Sequence, residues 1–439
     1  MISANWPFSP KKFPFFYGWV VWGFSTLGIL FSIPGQTMGL AVFTDSFIEV
    51  LGLSRTELSL AYLIGTVGSS LFLARAGRWY DIFGGRTMIT IASVALSLMI
   101  IYVSYVDILS ASLGGSVWLS FTLIMIGYFG VRFFGQGVLT SCSRNVLLLW
   151  FIKKRGLVGG MRNVFVSLGF SIAPLILASL ISFYGWRESL WILAFLGGII
   201  FSLLAFIFIR DNPESCGLKA DGLDLESNKK VDAETESKTL AEVKRSPIFW
   251  IYSLSLSMHA LFGTALVFHI ISIFEEVGKS KAEAFSYFIP AAIFSTTSNL
   301  LASWASDKMN LKPILIAMLL SFCLGSLGFI NLQKDWGFWL LAFGFGIGGG
   351  LWGVLSNLTF IRFFGPRHLG EISGFSSSLT VFASAIGPAA FSLGYDFFGN
   401  YAAPAKICLV FLIALTLTSV FLDHKESKEK LLVSISQSR

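Results

Sequence analysis

The feature that most constrains this chain is an alternation of long apolar runs with short charged segments. A helix needs about 20 apolar residues to cross the hydrocarbon core of a bilayer. By that rule the first spans fall at 15–37, 56–75, 87–106, 117–142, 157–182 and 188–209. The others fall at 248–274, 284–304, 313–331, 337–360, 371–395 and 403–422. Only 13% of the residues are charged, about half the usual fraction of a soluble domain, while 44 are Phe and 13 Trp. A water-soluble fold of 439 residues has nowhere to hide so much apolar surface, whereas a bilayer solvates it directly. The expected fold class is an all-α membrane protein of about 12 transmembrane helices in two pseudo-symmetric six-helix bundles.

The charges orient the spans. With the N-terminus in the cytoplasm, 23 Lys and Arg fall in cytoplasmic segments and six on the other side: Arg55, Arg187, Lys279, Lys281, Lys334 and Lys406. A bias of this size in short loops predicts that both termini are cytoplasmic, in a multi-pass protein of the cell (plasma or inner) membrane. The net charge of +7 is therefore topology information, and it does not form a stripe for nucleic acid. The first apolar run lacks a small-residue cleavage site and reads as a retained helix.

Residues 210–246 are polar, mixed in charge and aromatic-free up to Arg245, the pattern of a linker with a short amphipathic helix near Leu240. The expected organisation is an N-terminal half at 1–209, a cytoplasmic linker at 210–246, a C-terminal half at 247–422 and a cytoplasmic tail at 423–439. The halves read as a diverged repeat. Gly77-Arg78-Trp79-Tyr80-Asp81, ending at Arg86, is echoed by Ser303-Trp304-Ala305-Ser306-Asp307, ending at Lys312. Asp81 and Asp307 close the two segments at the same place. Gly160, Gly169, Ala173 and Pro174 of the fifth span are echoed by Gly374, Ala383, Gly387 and Pro388 of the eleventh. Internal repeats around a central site are a common transporter plan.

These features resemble the major facilitator superfamily over essentially the whole chain. Gly77, Asp81, Gly84 and Arg86 keep the family's loop motif after the second helix, with Trp79, Ile82 and Gly85 as departures. Arg132, followed by Gln136 and Gly137, is similar to its fourth-helix motif. Trp150-Phe151-Ile152-Lys153-Lys154-Arg155-Gly156-Leu157, running on to Gly160 and Gly169, is similar to the signature of the monocarboxylate-porter and oxalate/formate-antiporter branch. Tyr17-Gly18-Trp19 looks like the bacterial form of its first-helix motif. The eighth-helix Arg and eleventh-helix Lys of some branch members are absent here. The resemblance implies an alternating-access carrier, with Asp81 capping the eleventh helix as an inner gate. Asp81, Gly77, Arg86, Asp307 and Arg144 are the gating candidates.

Substrate or proton candidates are Arg132, His259, His269, Arg162, Asn163 and Asn299. A charge at mid-membrane, such as Arg132, costs several kcal/mol unless it meets a cavity, a partner or helix-end carbonyls. Arg132 reads either as a cavity cation or as a structural arginine. Arg144 and Arg162 near the ends of their spans read as snorkelling residues or as a cationic vestibule. His259 and His269 share the seventh span and either carry a proton or simply pack. The asparagines either line a cavity or join helices. Pro174, Gly387 and Pro388 read as bend points. Gly344-Phe345-Gly346-Ile347-Gly348-Gly349 matches a nucleotide-binding pattern but lies inside an apolar span, where close helix packing accounts for it.

Cys142, Cys216, Cys323 and Cys408 show no metal or disulfide spacing, and no cofactor is expected. No catalytic pair and no nucleotide-binding loop stands out, which disfavours an enzyme or a primary pump. The expected function is secondary transport of a small organic solute, a carboxylate, with protons or by exchange, in contact with membrane lipids. The alternatives are an amphipathic or lipid-like cargo, or a non-transporting sensor. The site is expected between the halves near mid-membrane, with Arg132 and His259 facing it.

Overall fold

The structure is a computed structural model that describes residues 4–222 and 237–422. Part of the expected linker (223–236) and the tail (423–439) lie outside the described residues. Among the described residues every regular element is helical.

The first six long helices are α1 Gly18–Phe31, α2 Arg55–Ser70, α3 Leu73–Ser104, α4 Val117–Trp150, α5 Arg155–Tyr184 and α6 Trp186–Phe208. The second six are α7 Pro247–Glu276, α8 Phe288–Ser306, α9 Leu311–Ile330, α10 Asp335–Phe364, α11 Leu369–Phe398 and α12 Ala402–Phe421. Nine of these are long and apolar enough to cross a membrane among the described residues. The other three are the 14-residue α1, the 16-residue α2 and the 19-residue α8, whose middle reads Ser-Thr-Thr-Ser-Asn. Large apolar side chains stay bare on the protein surface, with Phe183, Phe397 and Phe421 each more than 80% exposed. That is the surface a bilayer covers.

Local sequence explains the helix ends. Ser54 and Glu57 close a reciprocal capping box at α2, and Ser280 with Glu283 closes another before α8. Pro247 opens α7, where a missing N–H costs nothing. Thr239 and Glu242 cap the short helix Leu240–Val243, where the linker was expected to be helical.

One expectation is corrected. The segment Gly77–Phe83 was read as a loop after the second span, yet it is helical within α3. Its charges ended the apolar window without breaking the helix, which buries Ala76, Gly77 and Tyr80 and leaves Trp79, Ile82 and Phe83 exposed. The break comes at Gly84, whose φ of 83° an L side chain rarely adopts.

The chain divides into two compact units. The first comprises Met1–Ile152, Arg162–Lys230 and Pro366–Ser378, and the second Lys153–Met161, Val231–Gly365 and Leu379–Arg439. The first turns of α5 and α11 are thus counted with a different unit from the rest of each helix. In the second unit α9 and α10 approach closely at the glycine run. A Cβ on Gly344 would overlap the Gly325 backbone, and one on Gly348 the Phe322 ring. The run therefore serves helix packing.

Candidate functional site: two capped helix starts and a buried arginine

In the first unit, Asp81 Oδ1 accepts the Gly370 N–H (2.7 Å) and Oδ2 the Glu371 N–H (2.8 Å). These amides open α11, where a carboxylate satisfies orphan donors and meets the positive end of the helix dipole. The approach requires small residues. A Cβ on Gly77 would collide with the Gly370 carbonyl, and one on Gly374 would lie 2.5 Å from the Leu73 carbonyl. Asn145 Nδ2 donates to Ser373 Oγ (2.9 Å) one turn further on.

The second unit repeats the arrangement. Asp307 Oδ1 accepts the Gly156 N–H (2.7 Å) and Oδ2 the Leu157 N–H (2.9 Å), at the start of α5. Gly156 abuts Ser303 and Ser306 as Gly370 abuts Gly77 and Tyr80. Arg362, on α10, stands 3.7 Å from Asp307 Oδ1 and is buried.

Arg86, grouped with Asp81 as a gating residue, has another destination. Its Nε donates to the Phe206 carbonyl (2.6 Å) and its Nη2 to the Trp6 carbonyl (3.1 Å). Its backbone N–H donates to Asp211 Oδ1 (2.8 Å). It thus fastens the end of α6. Lys312, which ends the echoing segment, donates to the Val420 and Leu422 carbonyls at the end of α12. These basic residues cap C-terminal carbonyls, which the dipole favours.

Arg132 opens a π-helical turn, Arg132–Leu139, inside α4. It is only 3% exposed. Its Nη1 donates to the Gly35 carbonyl (3.2 Å) and Thr37 Oγ1 (3.3 Å), and its guanidinium sits 5.2 Å from the Tyr62 ring. Tyr62 Oη is 2.8 Å from Thr37 Oγ1, so the polar chain continues to α2. Among the described residues Nε has no partner and no carboxylate pairs with this arginine. Gly35 is required here, since a Cβ would lie 2.5 Å from the Val131 carbonyl.

Arg162 is 1% exposed and donates from Nη1 to the Arg144 carbonyl (3.5 Å). The snorkelling account is corrected for Arg162, because a side chain buried to this degree does not reach lipid phosphates. Arg144 and Asn163 are half-buried.

In the second unit, the His259 ring stacks on Phe322 (4.7 Å between centroids) and leans on Trp352 (5.3 Å). Its Nδ1 is buried without a partner among the described residues. Gly263 and Gly349 flank the ring and leave space beside it. Asn299 Nδ2 donates to the Gly350 carbonyl (2.9 Å), while its Oδ1 has no partner. His269 Nε2 lies 2.9 Å from the Pro388 carbonyl and its ring packs on Tyr401, contacts that fit the packing reading of the two open for it. Beside it, a Cβ on Gly387 would strike the Leu261 carbonyl. Gly387 and Pro388 are thus where α7 meets α11. Pro174 lies inside α5, half-buried.

The sequence model of the Major Facilitator Superfamily matches residues 25–388, with a second match at 291–434. The chain belongs to the major facilitator superfamily. The fold is similar to that of the proton:xylose symporter XylE bound to 6-bromo-6-deoxy-D-glucose, at 17% identity and a TM-score of 0.70 over 95% of this chain and 99% of that one. It is also similar to the E. coli fucose:proton symporter FucP (14%, 0.64, covering 94% and 100%). A third similar structure is a bacterial homologue of the iron transporter ferroportin in an outward-facing state (15%, 0.69, covering 91% and 99%). At these identities the likeness shows the fold. No curated protein matches the chain by sequence.

As a major facilitator, this chain is a multi-pass membrane transporter. Sequence reasoning singled out Asp81 and Asp307 but missed the amides that Asp307 caps. The signal was present, because Gly156 and Gly370 are separated by the same interval as Gly160 and Gly374. It also missed Thr37 and Tyr62 beside Arg132, Arg362 beside Asp307, and Asp211 beneath Arg86. All of these are joined only by the fold.

Proposed function

We propose that this major facilitator carries a small organic anion, a monocarboxylate or similar acid, by alternating access with proton coupling or exchange. The observation that carries this reading is Arg132. Among the described residues it is a buried cation held by neutral groups alone, with Nε unused. A buried charge without a counter-ion is costly, and a bound carboxylate supplies one. The branch resemblance adds support. The leading aromatics of its two fragments pack together in the first unit, with the Tyr17 and Trp150 rings 5.7 Å apart. Both are anchored to the end of α6, by Tyr17 Oη to the Phe208 carbonyl and Trp150 Nε1 to the Arg210 carbonyl.

In this reading His259 carries the coupling proton, because its buried Nδ1 has no other engagement. The Asp81 cap releases and reforms during the cycle, and both termini face the cytoplasm. Reconstituted protein given a panel of labelled carboxylates tests the scheme. Arg132→Gln should weaken substrate binding at least tenfold at every pH from 5.5 to 8. His259→Gln should flatten the pH dependence of uptake while sparing exchange. Normal carboxylate binding by Arg132→Gln would refute the anion site and favour a neutral or amphipathic cargo. A wild-type pH profile in His259→Gln would return that residue to packing. In cells, a cysteine at Ser237 should react only with a membrane-permeant reagent, and labelling from outside would reverse the orientation.

A further inference from the structure

Beneath the Asp81 cap, wholly within the first unit, lies a partly enclosed cavity of about 10 Å³, room for one water. Its lining includes Gly77, Tyr80, Cys142, Asn145, Gly370 and Gly374. Tyr80 is 5% exposed, and its hydroxyl has no partner among the described residues. A buried hydroxyl without a partner is costly, so one on a residue that lines a water-sized space points to a polar occupant. Cys142 is a second buried group there, a free thiol 3% exposed. Gly370 lines the cavity, and Asp81 holds the Gly370 amide. Gly77 and Gly370 pack backbone to backbone at the same place. The contact that forms the cap therefore also forms part of the cavity wall.

We propose that this cavity is a gated thiol site. With the cap formed it holds one water on the Tyr80 hydroxyl and excludes anything larger. With the cap released it admits a small soft electrophile, which modifies Cys142. This rests on the reading of the Asp81 cap as a moving part. The probe is methyl methanethiosulfonate. The Cys142 thiol gives its proton to solvent, and its sulfur attacks the methylthio sulfur of the reagent. An S–S bond forms as the S–SO₂ bond breaks, and methanesulfinate leaves with the electron pair. The added methylthio group is larger than the water it replaces, so the modified chain no longer closes over Gly370.

The test follows methylthiolation of the full-length protein by peptide mass spectrometry. Cys408, buried in α12 and not lining this cavity, serves as the internal clock. Wild type and Asp81→Ala are compared, with Asp81→Asn as the milder variant if alanine does not fold. Amide hydrogen exchange at Gly370 and Glu371 is read on the same samples. Asp81→Ala should speed Cys142 modification at least tenfold relative to Cys408, with faster exchange at both amides. Modified wild type should then show the same fast exchange at those amides, and Cys142→Ser treated identically should not. Faster exchange without faster Cys142 modification overturns the gated site and leaves the moving cap standing. Unchanged exchange in Asp81→Ala overturns the moving cap, and the gated site falls with it.

Discussion

The two capped helix starts share a geometry and differ in what surrounds the carboxylate. Asp307 has a buried guanidinium, Arg362, at 3.7 Å in addition to its two amides. Asp81 has its two amides and, among the described residues, no cationic side chain. The neighbours differ too. Where the second unit has Ser303 and Ser306, with the Ser306 hydroxyl satisfied by the Ser303 carbonyl (2.7 Å), the first has Gly77 and Tyr80 and a small cavity. One cap is locked by an opposite charge. The other rests on hydrogen bonds and the helix dipole, which together are worth only about 1–2 kcal/mol. A contact of that size can be released within a transport cycle. The difference suggests that one motif yields a fastening and the other a latch.

The largest expected effect is therefore at Asp307. Asp307→Ala should cost about 3 kcal/mol, because it removes the cap and leaves Arg362 buried without its carboxylate. Thermal unfolding in detergent measures it, and Arg362→Ala alone should cost a similar amount. The double variant should be milder than the sum of the two, as coupled partners require. Simple additivity would show that the approach of Arg362 to Asp307 carries no energy and would erase the contrast.

Asp81→Ala should be milder for stability, about 1 kcal/mol, yet more severe for transport. Asp81→Asn should restore part of the transport, since its single carbonyl oxygen can accept one of the two amides without charge. If Asp81→Asn is as defective as Asp81→Ala, the charge or the second accepting oxygen is the essential property. The first cap would then resemble the second more than its surroundings imply.

How far the sequence revealed this depends on which interaction wrote the signal. Apolar runs of bilayer length set the class of fold, and the spacing of Asp81 and Asp307 set the repeat. Those signals are local, so they survive in one dimension. The destination of Arg86 is not local, because the Phe206 and Trp6 carbonyls are backbone and have no sequence signature. Arg132 was singled out by its cost in an apolar span, but Thr37 and Tyr62 are ordinary residues until the fold brings them to it. His269 stayed open between proton carriage and packing in the sequence, because its Pro388 carbonyl partner is also backbone. The α3 segment around Asp81 was misjudged because Arg75 and Arg78 depress the apolar signal without breaking the helix.

The smallest expected effect separates the far ends of the two motif segments. At the first, Asp211 accepts the Arg86 N–H beneath Gly84, where a Cβ would lie 2.6 Å from the carboxylate. Burial pushes its carboxyl above the usual carboxylate range, against the pull of the amides and of the Arg86 and Arg210 charges. The folded state then holds that proton more tightly than the unfolded chain. The resulting stability is fully present below about pH 4, the ordinary carboxylate value, and is lost as pH rises through the folded pKa. Wild type should therefore lose stability relative to Asp211→Asn between pH 4 and 7. At the second end, Lys312 meets only the Val420 and Leu422 carbonyls among the described residues. The difference between wild type and Lys312→Met should stay flat over the same range, because the partners of Lys312 are uncharged carbonyls. Unfolding midpoints of the three proteins from pH 4 to 7.5 decide the matter. A flat Asp211→Asn difference would mean that Arg86 and Arg210 offset the burial of the carboxylate. The first unit would then have a charge-locked fastening at this end, as the second has at Asp307, and the latch would be confined to Asp81.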